Sequence, residues 1–255
     1  MPNWFRIPLV SCFALLFAVS PAVAADKPTH LFILSGQSNM AGMKPDLGFV
    51  PELSEEFKEG ETAYIKIAEG GKPIRFWLPD DWNMLAERYN LETKLTGAAS
   101  EKNYYSRILD EYEKYTEKNG WPKRVTFCWM QGERDARERL SSAYADALKL
   151  LIANLRRDLK QPEMTFVIGR LSDFRPEPQR AHWEIVRQAQ VQVAEDDPLG
   201  AWVDCDDLNN KKKGEITVND LHYTQEGYEL LGRRYVRQAK ALVEGRKPAD
   251  NGRPE

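Results

Sequence analysis

His30-Leu31-Phe32-Ile33-Leu34-Ser35-Gly36-Gln37-Ser38-Asn39-Met40-Ala41-Gly42 decides the fold of this chain. The run His30–Leu34 is apolar on successive residues, the pattern of a strand covered on both faces. It passes directly into a turn with glycine on either side of a serine. Four further runs share the character of the first: Ala63–Ala68, Arg124–Met130, Thr165–Leu171 and Ala201–Cys205. Helical patterns lie between them. In Glu138–Leu159 the apolar positions Leu140, Tyr144, Leu148, Leu151, Leu155 and Leu159 recur in steps of four or three, which is one helix face. Pro176–Glu195 and Thr224–Val243 repeat the pattern, and Thr224 stands where it would cap the last helix. Strands that alternate with helices imply βαβ units and a parallel sheet. Right-handed crossovers then favour a three-layer α/β/α sandwich. Met43–Glu61 and Pro79–Asn103 are polar and weakly periodic, and read as long loops or insertions beside the site.

The 255 residues carry 36 Lys+Arg against 39 Asp+Glu, so no strong overall field draws nucleic acid or an anionic membrane. A hydrophobic fraction of 42% with 11% aromatics excludes a disordered chain. Residues 1–24 read as a secretory signal peptide: Arg6, an apolar run from Ile7 to about Ser20, then Ala22-Val23-Ala24 as a cleavage signature. That run is short of the roughly 20 apolar residues a membrane helix needs, and no other long apolar stretch exists. No repeat or linker divides residues 25–244, which read as one domain. The Pro/Gly-rich tail, residues 245–255, is expected to fray.

Three clusters carry chemistry. Ser38 follows the first strand, at the carboxyl edge where open parallel sheets bind ligands. There it can act as a nucleophile or cap the next helix. Trp129-Met130-Gln131-Gly132-Glu133-Arg134-Asp135 ends the third strand run at the same edge. Asn219-Asp220-Leu221-His222-Tyr223-Thr224 precedes the last helix, and His222 can serve Ser38 as general base. The chain has three histidines. His30 opens the first strand, opposite the site, and reads as structural. His182 begins a helix and is a weaker candidate for substrate contact.

These blocks resemble the SGNH (GDSL-like) hydrolase superfamily. Within it they are similar to the sialate O-acetylesterase and carbohydrate esterase family 6 (acetylxylan esterase) group. The matching residues are GQSNMAG at 36–42, Gly70-Gly71 before Trp77, WMQGERDA at 129–136, HWEIVRQAQ at 182–190 and DLHYTQEGY at 220–228. The resemblance implies a flavodoxin-like five-stranded parallel sheet of order 2-1-3-4-5 and a Ser-His-Asp esterase. Ser38 would be the nucleophile and His222 the base. Asp220 would be the acid, although the superfamily's usual position, three residues before the histidine, is Asn219 here. A Ser38–His222 dyad is the alternative. The oxyanion would be held by the Ser38 amide, the Gly70 or Gly71 amide and the Gln131 side chain. Gln37, Asn39, Glu133 and Asp135 would support the site. The implied sheet order also separates Cys128 from Cys205 by a strand. Strands two apart lie roughly 9–10 Å away, beyond the about 7 Å between Cα atoms that a disulfide allows, so two free thiols are expected.

Trp77, Arg75 and Arg170 are the candidates for substrate contact, a ring for a sugar face and cations for an acidic glycan. Glu133 and Asp135 can also be read as the paired carboxylates of a glycosidase. Asp204, Asp206 and Glu215 fit three positions of a Ca²⁺ loop, but Leu208 and Asn209 break it. Lys211-Lys212-Lys213 reads as a solvated turn. The expectation is therefore a secreted esterase that removes O-acetyl groups from a carbohydrate without metal or cofactor. A glycan-binding protein of weak activity and an acetyltransferase on the same fold are the alternatives.

Overall fold

The computed structural model describes residue 1 and residues 29–58, 60–95 and 103–253. Residues 2–28, which include residues 2–24 of the expected signal peptide (1–24), and residues 96–102 of the second polar segment lie outside the described residues.

Five strands form one parallel sheet in the order β2-β1-β3-β4-β5: β1 His30–Gly36, β2 Thr62–Ala68, β3 Arg124–Met130, β4 Thr165–Gly169 and β5 Gly200–Val203. This is the expected order. Every residue of β1 and β4 is buried, which is why those runs are apolar without alternation. Helices α2 (Phe49–Glu56) and α8 (Gln225–Val243) pack together on one face. The other face carries α3 (Trp82–Arg88), α4 (Tyr104–Asn119), α6 (Ser141–Asp158) and α7 (Arg180–Asp196). The face of α6 read from its periodicity is buried, and Thr224 caps α8 by accepting the Gly227 amide at 2.9 Å.

Several elements differ from expectation. The segment Met43–Glu61 is not a plain loop, since it contains the 3-10 turn Pro45–Leu47 and α2. The two turns of α2 bury Phe49 and Leu53 together with Glu52, a charge that masks the apolar face. Glu52 is accommodated because Arg233 and Arg237 of α8 both bond it. Within Pro79–Asn103, α3 buries Trp82, Leu85 and Ala86. Helix α4 has no counterpart in the periodicity reading, because its inner face is mainly tyrosine: Tyr104, Tyr105, Tyr112 and Tyr115, with Ile108. Lys211–Lys213 belong to a strand, not a turn. β6 (Asn210–Lys213) pairs antiparallel with β7 (Ile216–Asn219) in a largely exposed hairpin, and exposure on both faces removes the alternation that marks a strand. In the tail, the Asn251 carbonyl accepts the Asp204 amide at 2.9 Å, and Gln238 donates to Asp250 at 3.0 Å.

Cys128 on β3 and Cys205 beyond β5 are both free and buried, with β4 between their strands. Burial pushes both thiols up. Among the described residues no helix is long and apolar enough to cross a membrane.

Candidate active site

The register of the sheet levels its carboxyl edge. Gly36 pairs with Ala68 of β2 and with Met130 of β3, so the residues following all three strands emerge side by side. The order also reverses direction between β1 and β3, the position where such sheets open a crevice. Gly36 (φ 145°) is required at this crossing, because a Cβ there would lie 1.9 Å from the Met130 carbonyl oxygen. The Gln37 amide donates to that same oxygen at 2.9 Å.

Ser38 follows as the first residue of the five-residue helix α1 (Ser38–Gly42), and it is half-buried. Lys66 of β2 reaches across to donate to the Ala41 carbonyl at 3.1 Å and to that of Met43. Of the two glycines after β2, Gly70 lies against Ser38: a Cβ on it would sit 3.6 Å from the Ser38 Cβ. Gly71 (φ 70°) forms the turn, and a Cβ on it would meet open space.

Gln131 is wholly buried. Its side-chain nitrogen donates to the Lys72 carbonyl at 3.0 Å and to the Asp135 carboxylate, and lies 3.4 Å from Gln37 Oε1. Its backbone carbonyl accepts from Tyr144 Oη at 2.8 Å and from Gln190 Nε2 at 2.7 Å. In this arrangement the carboxamide braces the Gly70–Lys72 turn. A bond from it to an oxyanion would replace one of these. The short helix α5 (Glu133–Arg137) follows. Glu133 Oε1 accepts from Asn39 Nδ2 at 2.8 Å, and Asp135 accepts the Ile74 amide at 3.0 Å. Burial pushes each carboxyl up to about 7. Only 5% and 0% exposed, the two carboxyls are sealed under the edge, which does not suit a glycosidase pair working on a bound sugar.

His222 comes to the same edge from the loop between β7 and α8, and it is exposed. Its neighbours hold it there. The Leu221 carbonyl accepts from Asn39 Nδ2 at 3.1 Å, and Tyr223 Oη lies 3.7 Å from Met130 Sδ as a donor. Asn39 Oδ1 accepts from Tyr228 Oη at 3.1 Å. One carboxamide beside Ser38 therefore joins α1, α5, the histidine loop and α8. Asp220 lies on the same loop, between β7 and α8. Its Oδ1 accepts the His222 backbone amide at 3.1 Å, and its Oδ2 pairs with Lys211 Nζ at 3.2 Å. Neither the Ser38 hydroxyl nor the His222 imidazole has a hydrogen-bond partner among the described residues.

The candidates for substrate contact need correction. Trp77 is buried, donates to Ser35 Oγ at 2.9 Å, stacks on Tyr104 and meets the Trp129 ring edge-on, so it is core. Arg170 is held by Asp204 and Asp206, each at 2.8 Å, and lies over the Trp202 ring. Arg75 is paired with Glu138 at 2.5 Å. Aromatic and basic residues near a mouth are equally the residues that pack and pair beneath it. His182 bonds Ser141 Oγ at 2.7 Å. His30 is buried against Thr126 Oγ1 at 2.8 Å, and burial pushes it down to about 3. Tyr144, Gln190, Tyr228 and Lys66 support the site although sequence reading gave them no role. Gln190 and Tyr228 do end two of the motif blocks, but the other two offer only a helix-face tyrosine and a strand lysine. A cavity of about 660 Å³ lined by Val50, Leu53, Ala63 and Tyr64 among others opens at the opposite end of β2 and holds none of the candidate residues.

The profile of the family described as carbohydrate esterase, sialic acid-specific acetylesterase matches residues 41–241, a segment that begins just after Ser38. No curated protein matches the chain. Among solved structures, a protein of Arabidopsis thaliana is 20% identical, with a TM-score of 0.59 over 85% of this chain and 98% of its own. A carbohydrate acetylesterase from Xanthomonas citri is 19% identical, with a TM-score of 0.53 over 77% of this chain and 40% of its own. An acetyl xylan esterase from Geobacillus stearothermophilus is 12% identical, with a TM-score of 0.52 over 85% of this chain and 96% of its own. At these identities the likeness is one of fold.

Proposed function

The chain belongs to the carbohydrate esterase family of sialic acid-specific acetylesterases, and from that premise we propose how it works and on what. It is a carbohydrate O-acetylesterase. Its substrate is an acetylated glycan such as acetylxylan, acetylated sialic acid or a related polysaccharide. It meets that glycan outside the cytoplasm, after residues 1–24 are removed.

Ser38 is the nucleophile. The His222 imidazole takes the hydroxyl proton as Ser38 Oγ attacks the acetyl carbonyl carbon. The tetrahedral oxyanion is met by the amides of Ser38 and Gly70, the glycine that lies against the serine. Collapse breaks the bond to the sugar oxygen, which leaves with the proton from the imidazolium. Water, deprotonated by His222, then attacks the acetyl carbonyl carbon; collapse breaks the bond to Ser38 Oγ, which takes the proton from the imidazolium, and acetate leaves. The observation that carries this reading is the level carboxyl edge of β1, β2 and β3, with Asn39 tying the His222 loop to the helix that begins at Ser38. His30 and His182 offer no substitute base, one buried at the far end of β1 and the other bonded to Ser141.

Acetate release from a panel of acetylated glycans tests the substrate, and His222→Gln tests the base. Turnover by the variant should fall by about 10³-fold or more. A variant that keeps wild-type turnover removes His222 from the mechanism. For export, the mature protein recovered outside the cytoplasm should begin at Ala25. Recovery of the exported chain with Met1 intact would contradict cleavage.

A further inference from the structure

Lys66 stands on the edge strand β2, where a lysine ordinarily points to water and discourages pairing with another sheet. Here it folds inward. Its Nζ donates to the Ala41 carbonyl at 3.1 Å and to the Met43 carbonyl, and no carboxylate pairs with it among the described residues. Desolvation pulls the half-buried ammonium below the ordinary lysine pKa. Both carbonyls belong to the end of α1. That helix is closed only by the Ala41 amide on the Gln37 carbonyl at 2.8 Å and the Met43 amide on the Asn39 carbonyl at 3.2 Å, and a single turn does not hold itself. At Met43 the chain turns extended, which leaves the last carbonyls of α1 to another donor. A cation is favourable at that end of a helix. Asn39 anchors α1 toward α5, the histidine loop and α8, and Lys66 anchors it to β2.

We infer that Lys66 is a positioning residue: it fixes the turn that presents Ser38 against the strand that presents Gly70, and so sets the spacing of the two oxyanion amides. This rests on the esterase reading above. Lys66 pairs with Leu34 of β1 and lies four residues before Gly70. The Glu69 amide donates to the Gly36 carbonyl at 3.2 Å, so the two strand ends are held by their own backbones. Helix α1 starts beyond that bond, and the ammonium is what ties it to β2. An oxyanion exists only in the transition state, so a displaced amide slows the reaction without weakening the binding of substrate.

Lys66→Met keeps the length of the side chain and removes its charge and both bonds. With p-nitrophenyl acetate, kcat and kcat/KM per folded molecule should fall together by about 10–100-fold, at near-native melting temperature. Lys66→Cys should lose as much. Alkylating it with 2-bromoethylamine, the thiolate displacing bromide, rebuilds a side chain that ends in an ammonium. That treatment should return kcat to within about threefold of wild type. Cys128 and Cys205 are both 0% exposed, so the reagent leaves them alone, and treated wild type is the control. Wild-type kcat in a folded Lys66→Met protein would overturn the inference. So would a rise in KM alone, a loss that tracks only the folded fraction, or a loss in Lys66→Cys that alkylation leaves in place. If wild type hydrolyses no acetyl ester, the esterase reading fails, and hydrogen exchange still decides the brace. The Ala41 and Met43 amides should exchange at least about tenfold faster in Lys66→Cys and return to the wild-type rate on alkylation. Equal exchange in all three proteins would overturn the inference.

Discussion

Asn39 shows how much of this site is decided by single side chains. Its nitrogen serves both the Glu133 carboxylate and the Leu221 carbonyl, and its oxygen takes the Tyr228 hydroxyl. The motif around it was legible, but burial was not. Nothing in the letters distinguishes a tryptophan at the mouth from Trp77 in the core, or a free arginine from Arg170 between two aspartates. Burial also makes the Glu133 carboxyl a pH-sensitive group. Its folded value of about 7 lies above its ordinary 4.5, so between those values the folded chain holds a proton that the unfolded chain has released. Stability from this group therefore falls as pH rises from about 4.5 to about 7 and is level above that. His30 acts in the opposite sense, since its folded value of about 3 lies below 6.5 and stability is lost as pH falls through that window. Glu133→Gln isolates the first effect while leaving an oxygen for Asn39. In urea unfolding, the stability of the variant relative to wild type should rise between about pH 5 and about pH 8. A difference that does not change with pH would show that Glu133 is not perturbed by burial.

At the scale of elements, strands covered on both faces were easy to read, because burial on each side leaves a continuous apolar run. The helices with mixed inner faces were not. Helix α2 hides a buried Glu52 held by two arginines, and α4 presents tyrosines whose hydroxyls blur the apolar period. The hairpin β6–β7 was missed because neither face is covered. Helix α8 was legible from its cap onward. Thr224 both starts that helix and ends the His222 loop, so it couples stability to the position of His222. Thr224→Ala should destabilise the fold by about 1 kcal/mol, with Thr224→Ser close to wild type. Thermal unfolding of the two variants checks this. Equal melting temperatures for Thr224→Ala and wild type would mean the cap contributes nothing.

Over the whole molecule, the strand order β2-β1-β3-β4-β5 does three things at once. It reverses direction between β1 and β3, it levels the ends of three strands for Ser38, Gly70 and Gln131, and it keeps Cys128 and Cys205 on strands separated by β4. The fold class and the serine-bearing edge could be read from the pattern of runs and motifs. The pairing of polar and charged groups beneath that edge could not, because partners such as Arg170 with Asp204, or Asn39 with Glu133, are far apart in sequence and meet only when the sheet forms. The most direct test is mass spectrometry of enzyme quenched with acid during turnover of an acetylated substrate. The account predicts one acetyl group on the peptide that contains Ser38, absent from Ser38→Ala, which should also release no acetate above background. Undiminished acetate release by Ser38→Ala, with no acetyl group on that peptide in wild type, would contradict it.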